Sequence, residues 1–522
     1  MRQERAVRSL SLALAVTTLL ALLALPSTLE ARTQHPPTVT AALQALRRGN
    51  QITSAEYARY AGAYSAARRS ESHLSGTRHV ELGGVLANVE AMAASKALIP
   101  SRLPVVFLTL ERNREWWTTK YLLSPKSRVS VPGSKLVWEY YPGQGIEIQW
   151  LGTFGTANGY YSAHNNTALG ELLNEAAPLA THRAGGVAWE YMFQFDGGLP
   201  PWTSGLSQGT ALQAFSRGFS RLHNTAYLTT AQQALGIFQK PPPEGVRVST
   251  PAGAEYAEYT YAPSDHILNG FVQAVIGLYD YTAITQDPLG QQLFEAGDAE
   301  ARAEVPHYDT GAWSLYDQHE ESNLNYHELL TEFLEHLCQR TRGGLPLTPA
   351  PTPAPTPAPA TATTPAAPTN PTAAGGTPTS TTTATTTTTT TSTSSTTAPA
   401  RTPIAGDAIY CTTGERFKAD IHTPPTLEVL STTLKGGTRA GVRIELSKLA
   451  AVSMTIHQGS HGVWSSHATL AGGKPRLLWV TPSQGGIYEV SLSATDLAGN
   501  HESATGTIAV SAAAAAPKHA HR

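Results

Sequence analysis

The sequence predicts a multidomain protein: an α/α helical unit, an incomplete toroid or barrel carrying one small β-rich element, followed by a C-terminal all-β sandwich of immunoglobulin or fibronectin-III type. Three observations predict it. Apolar residues recur at spacings of three and four in successive paired segments, as in Leu212, Phe215, Phe219 and Leu222, then Ile267, Phe271, Val275 and Leu278, then Leu329, Phe333 and Leu337. The composition breaks abruptly near Gly343. Beyond Thr426 the texture becomes short alternating runs bounded by Gly, Asn and Pro, such as Tyr488 to Ala494.

The chain of 522 residues divides as follows. Arg2, Glu4, Arg5 and Arg8 precede an uncharged apolar run, Ser11 to Leu25, too short to span a bilayer comfortably, so residues 1–31 read as a secretory signal peptide. With the only cysteines at Cys338 and Cys411 there is no lipobox, and a released, extracellular protein without a stable membrane anchor is expected. An uncleaved N-terminal anchor ranks second. Residues 32–102 form a helical segment, with Leu82, Val85, Val89 and Met92 on one face. Residues 103–150 read as the small β-rich element, because Val105 to Leu110 is strand-like and Lys135 to Tyr141 alternates with aromatics. Residues 151–343 hold the paired helices, whose rim loops would line a cleft. An ordinary helical bundle is the plainer alternative.

Residues 344–402 are a Pro/Thr/Ser-rich linker. From Leu345 to Ala400 there is no Lys, Arg, Asp or Glu, so the segment cannot bury a core and reads as an extended, partly polyproline-II stalk dividing the protein in two. Residues 403–512 are the β-sandwich and 513–522 a disordered tail. Cys338 and Cys411 flank the stalk; in an oxidising compartment they either staple the two units or stay separate thiols, and spacing does not decide.

A net charge of -2, from 37 basic and 39 acidic residues, excludes an electrostatic case for nucleic acid and gives no basic footprint for a densely sulfated polyanion. Chemistry concentrates elsewhere. Tyr256, Tyr259, Tyr261, Tyr279, Tyr281, Tyr308, Tyr316 and Tyr326 surround Glu258 in otherwise apolar segments, and a tyrosine hydroxyl in an apolar cleft can serve as weak acid, base or donor to a carboxylate. No metal-ligand spacing links His319 and His327.

Three blocks carry a resemblance: Trp202 to Gly209, Glu258-Tyr259 through Asn269-Gly270 to Asp280, and Tyr308-Asp309-Thr310-Gly311 with Tyr316-Asp317 and Asn325-Tyr326-His327. Together, over about Tyr140 to Cys338, they resemble the C-terminal domain of the D-glucuronyl C5-epimerases, which turn glucuronate into iduronate within heparan-type chains. The resemblance implies that the catalytic residues are Glu258, Tyr259, Tyr316 and Tyr326. It implies no cofactor, leaving a structural calcium ion open. Gln208, Trp202, Asn269, His327 and Trp189 are the expected substrate-binding residues, with Glu190 and Asn158 as further candidates for shaping sugar subsites. Packing roles are equally natural for Trp189 and Trp202, and a second-layer or surface place for His327.

Departures matter too. Gln318-His319-Glu320 stands where the animal enzymes place an arginine after the Tyr-Asp pair, and most of their large N-terminal β domain is missing or reduced. The expectation is therefore a secreted epimerase acting on uronic acid residues of a polysaccharide, with the C-terminal module a spacer or a carbohydrate- or cell-wall-binding accessory. The competing readings are a uronan lyase, which would run the same C5 carbanion to elimination, and a non-catalytic glycan-binding protein.

Overall fold

A computed structural model describes residues 36–342 and 407–513. The expected signal peptide, the whole of the expected linker and all but the first residue of the expected tail lie outside the described residues. The first part is helix-rich. Helices α1 (Val39–Arg48), α2 (Ser54–His73), α3 (Gly76–Ala94) and α4 (Leu103–Thr119) precede a three-stranded antiparallel sheet of order β1-β2-β3, formed by β1 (Arg128–Val129), β2 (Trp138–Tyr141) and β3 (Gly145–Ile148). Helix α2 starts in a capping box, with Thr53 and Glu56 satisfying each other's backbone N–H groups.

One expectation fails here. Val105 to Leu110 is not a strand but the first half of α4. A β-branched apolar run favours a strand locally, yet Pro104 sits in the first helical turn, where its missing N–H is harmless. Val106, Thr109, Leu110, Asn113 and Trp117 then make a continuous buried stripe at helical spacing. Asn113 stitches this helix to the sheet, its side chain donating to Ile146 O and accepting from Ile146 N, each at 2.7 Å.

Helices α5 (Trp150–Ser162), α6 (Asn166–Ala176), α7 (Gly205–Leu222), α8 (Thr225–Ala234), α9 (Leu268–Thr285), α10 (Pro288–Glu304) and α11 (Leu324–Thr341) follow, with hairpins β4 (Thr181–Arg183) to β5 (Gly186–Ala188) and β6 (Arg247–Ser249) to β7 (Ala254–Tyr256) between them. At the centre α7 and α9 cross backbone to backbone. A Cβ on Gly209 would lie 2.5 Å from Ala274 Cα, and one on Gly277 only 2.1 Å from Gly209 O, so any side chain at either position would part the two helices. Helix α12 (Asp407–Asp420), expected inside the β unit, belongs instead to the helical body: Tyr410 and Phe417 are fully buried in its core.

The C-terminal region is β-rich, as expected. Strands β8 (Leu427–Val429), β9 (Thr433–Lys435), β10 (Arg439–Leu446), β11 (Ala450–Gln458), β12 (His461–Leu470), β13 (Arg476–Val480), β14 (Gly486–Asp496) and β15 (His501–Ser511) form two sheets of order β13-β10-β8 and β12-β11-β14-β15-β9. Every pairing is antiparallel except β15 with β9. Inward residues of both sheets, among them Val442, Ile444, Trp479, Met454, Val490 and Ile508, share a second core. The period-two alternation read from Tyr488 to Ala494 is the alternation of buried and outward residues in β14.

A disulfide joins Cys338 of α11 to Cys411 of α12. It settles the pairing that spacing left open. The described chain on both sides of the expected stalk, through residue 342 and from residue 407, therefore belongs to the helical body.

Candidate active site

Glu258 follows β7 and ends at the junction of two helix N-termini. Ser204, the N-cap of α7, accepts from Ser207 N at 3.1 Å and donates its hydroxyl to Glu258 Oε1 at 3.0 Å. From α9, Gly270 lies against the same carboxyl: a Cβ there would meet Glu258 Oε2 at 2.5 Å. The glycine after Asn269 is therefore required by the acid beside it, which explains the Asn-Gly pair in physical terms.

Glu258 as a whole is 9% exposed, and its Oε2 is buried without a hydrogen-bond partner. Burial raises its pKa to about 8, against the lowering effect of the Ser204 hydroxyl and the Leu206 N–H. Asn269 Oδ1 and the Tyr261 hydroxyl are likewise buried and unpartnered. Unmet polar atoms are rare in folded interiors, and Glu258 and Asn269, each with one, line the same cleft, a place suited to a polar ligand.

Above Glu258 opens a cleft of about 200 Å³, lined by Tyr141, Gln149, Tyr191, Phe193, Phe195, Trp202, Ser204, Glu258, Tyr259, Asn269, Tyr316 and Tyr326. Aromatic rings make its wall. Tyr191 stacks on Trp202 at 4.3 Å, Tyr259 on Tyr261 at 5.2 Å, and Tyr316 meets Tyr326 at 4.7 Å between ring centres. Tyr326 is 39% exposed at the mouth, while Glu258 lies on the floor. The Tyr259 and Tyr316 hydroxyls are pushed well above the ordinary phenol range, by burial first and then by neighbouring acidic and phenolic groups, so they remain donors throughout the working pH range. A larger hollow, of about 600 Å³, lies between residues 310–321 and residues 447–473 of the β region, away from Glu258.

The structure thus brings together Glu258, Tyr259, Tyr316, Tyr326, Trp202 and Asn269. Three predicted residues lie elsewhere. Gln208 is fully buried, clamping the Trp189 backbone by donating to its O at 2.8 Å and accepting from its N at 3.1 Å. Trp189 is packed on Phe215 at 5.0 Å with its indole N–H given to Ala176 O. His327 is buried under Trp313, with ring centres 3.6 Å apart. Both subsite candidates named with them also have packing partners: Glu190 is paired to Arg102 and Arg183, and Asn158 to Arg217.

Sequence reasoning missed Tyr141, Gln149, Tyr191, Phe193, Phe195 and Ser204. The signal for three of them was available: Tyr191, Phe193 and Phe195 alternate, which in extended backbone puts all three on one face. Among the described residues no group of three or more His, Cys, Asp or Glu side chains is placed to hold a metal ion.

Residues 184–345 match the family model described as D-glucuronyl C5-epimerase C-terminus. All of the predicted catalytic residues fall inside that match. The D-glucuronyl C5-epimerase of Caenorhabditis elegans is 32% identical over 133 residues, covering 23% of this chain and 22% of that protein. An uncharacterised protein of Methanocaldococcus jannaschii is 25% identical over 138 residues, 25% of this chain and 45% of the other. The chain therefore spans less than half the length of either curated relative. A solved endo-β-1,4-glucanase, CMCax from Acetobacter xylinum, aligns with 34% of this chain and 54% of its own at a TM-score of 0.27 and 14% identity, too weak a likeness to bear on fold or function. These findings support an epimerase domain, an isomerase in class, within the helix-rich part. No helix among the described residues is long and apolar enough to cross a membrane.

Proposed function

We propose that this is a secreted epimerase inverting C5 of uronic acid residues, of the glucuronate-to-iduronate type, in a polysaccharide. Its helical part is read as an incomplete α/α toroid and its C-terminal part as an immunoglobulin-type sandwich, an accessory to the catalytic body. One observation carries the reading: a buried carboxyl with a free oxygen and a pKa of about 8 forms the floor of a tyrosine-walled cleft.

A uronate C5 hydrogen is weakly acidic, because the adjacent carboxylate resists the second negative charge of an enediolate. A base stronger than an ordinary carboxylate and donors around the developing oxyanion both help. Glu258, titrating near the working pH, supplies the base from the floor. Tyr326 at the mouth supplies a proton to the opposite face of a ring lying between them, and the reverse reaction exchanges the two roles. Tyr259 and Tyr316, held as neutral phenols, donate to the substrate carboxyl as charge builds on it, and after product leaves, Glu258 gives its proton to solvent while the exposed Tyr326 takes one back from it. In the first step the C5–H electrons pass into the carboxyl group and the proton to Glu258. In the second, C5 takes a proton from Tyr326 and the carboxylate re-forms.

The test is incubation of the full chain with heparosan and a panel of other uronans in D2O, followed by NMR at C5. Deuterium at C5 together with iduronate-type signals is expected, without absorbance from an unsaturated uronate. Growth of that absorbance would replace inversion with elimination, and binding without any exchange would leave a glycan-binding protein.

A further inference from the structure

Tyr316 lies on the loop spanning residues 309–322, and that loop is gripped from the far side by the C-terminal part of the chain. At its start Asp309 is paired with Arg416 of α12. At its centre Trp313 donates its indole N–H to Ser322 O at 2.8 Å, closing the loop on itself, and stacks on His327. Ser314 N donates to His327 Nδ1, so the hydrogen of that ring is on Nε2 and is given to Phe417 O at 2.8 Å. Burial, with the charge of Lys448, lowers the His327 pKa to about 4, and the ring is a neutral bridge rather than a proton carrier. On its other side Trp313 faces Lys448, whose Nζ is 5.0 Å from the ring and itself anchored to Asp496 at 2.8 Å.

The decisive contact closes the loop. Both oxygens of Glu321 are taken up by main-chain amides of the β region: Leu449 N donates to Oε2 and Gly472 N to Oε1, each at 2.6 Å. Charge-assisted bonds of this length are the strong ones. Gly472 is shaped to the contact, since a Cβ there would fall 2.9 Å from Glu321 Oε1.

We infer that Glu321 is a positioning residue for the cleft, and that the β region, expected to be a spacer or an accessory, acts as a brace holding the Tyr316 loop in its working position. The kinetic part rests on the epimerase reading; the mechanical part does not. Amide hydrogen exchange on the full chain, comparing wild type with Glu321→Ala and Gly472→Ala, tests the mechanical part. Leu315 N and Tyr316 N, bonded to Tyr308 O and Glu320 O, should be protected in the wild type. In both variants they should exchange at least about tenfold faster, with α7 and α9 unchanged. Equal exchange in all three proteins, or an unprotected loop in the wild type, overturns the brace.

On heparosan, Glu321→Ala should lower kcat about tenfold with KM little changed, because small misplacements of a reacting group fall on the chemical step. Added to Tyr316→Phe, the same change should lower kcat by less than about twofold, the non-additivity expected of one group acting through another. Full additivity would reduce Glu321 to general structural support. A wild type with no C5 exchange would remove the epimerase reading while leaving the amide result to decide the brace.

Discussion

Helices α7 and α9 bury two acids at opposite ends of their contact, and the two are treated in opposite ways. Asp280 sits among Arg217 at 2.8 Å, Arg340 at 2.7 Å and Gln213 at 2.8 Å. Burial alone would raise its pKa, but Arg340 above all, then Arg217 and Gln213, outweigh that and hold it below the usual carboxylate range. Glu258, at the N-terminal end of both helices, has a hydroxyl and an amide but no cation, and its pKa rises to about 8. The first acid ties three helices together. The second is kept at a cost in stability, and that difference separates a structural carboxylate from the proposed base.

The sharpest way to break the comparison is Glu258→Gln. Loss of the base should lower C5 exchange by about 10² to 10⁴, measured as deuterium incorporation. Tyr326→Phe should follow, with a loss of about 10² or more, and an unchanged exchange rate would refute its assignment. Stability should move the other way. Because the folded-state pKa of Glu258 is raised, the wild type binds this proton more tightly folded than unfolded. Its stabilising contribution is complete below about pH 4.5 and is lost as pH rises toward 8. Glu258→Gln should therefore stabilise the protein more at pH 8 than at pH 5, by about 3 kcal/mol in chemical denaturation. Asp280→Asn should do the reverse, destabilising by about 3 kcal/mol with the C5 exchange pH profile retained, since it leaves two partly buried guanidiniums without their anion. The finest test, worth about tenfold for each pH unit, is the pH profile itself: kcat/KM in the direction that uses Glu258 as base should rise with pH and level off near pH 8.

Much of this site was legible. Glu258, Tyr259, Tyr316 and Tyr326 are polar groups placed in apolar surroundings, a conflict visible in sequence because little but function maintains it. Their spacing also kept the order of the family blocks. Gln208, Trp189 and His327 sit in the same blocks, yet each has its polar atoms met by backbone or stacked neighbours, and sequence gives the residue without its partner. The alternation of Tyr191, Phe193 and Phe195 is visible in the sequence, but it marks one face only where the backbone is extended, and Ser204 went unread because its partner Glu258 is 54 residues away in the chain. The error at Val105 to Leu110 has the same origin, a local preference overridden by packing across α4.

The link between Cys338 and Cys411 bridges the ends of a segment of more than sixty residues that carries no charged side chain between Leu345 and Ala400. A protease cut anywhere within it would therefore give two polypeptides that travel as one molecule in a non-reducing gel and separate only on reduction. Nicking need not abolish activity, because the piece bearing Glu321 and the piece bearing Leu449 and Gly472 remain covalently tethered.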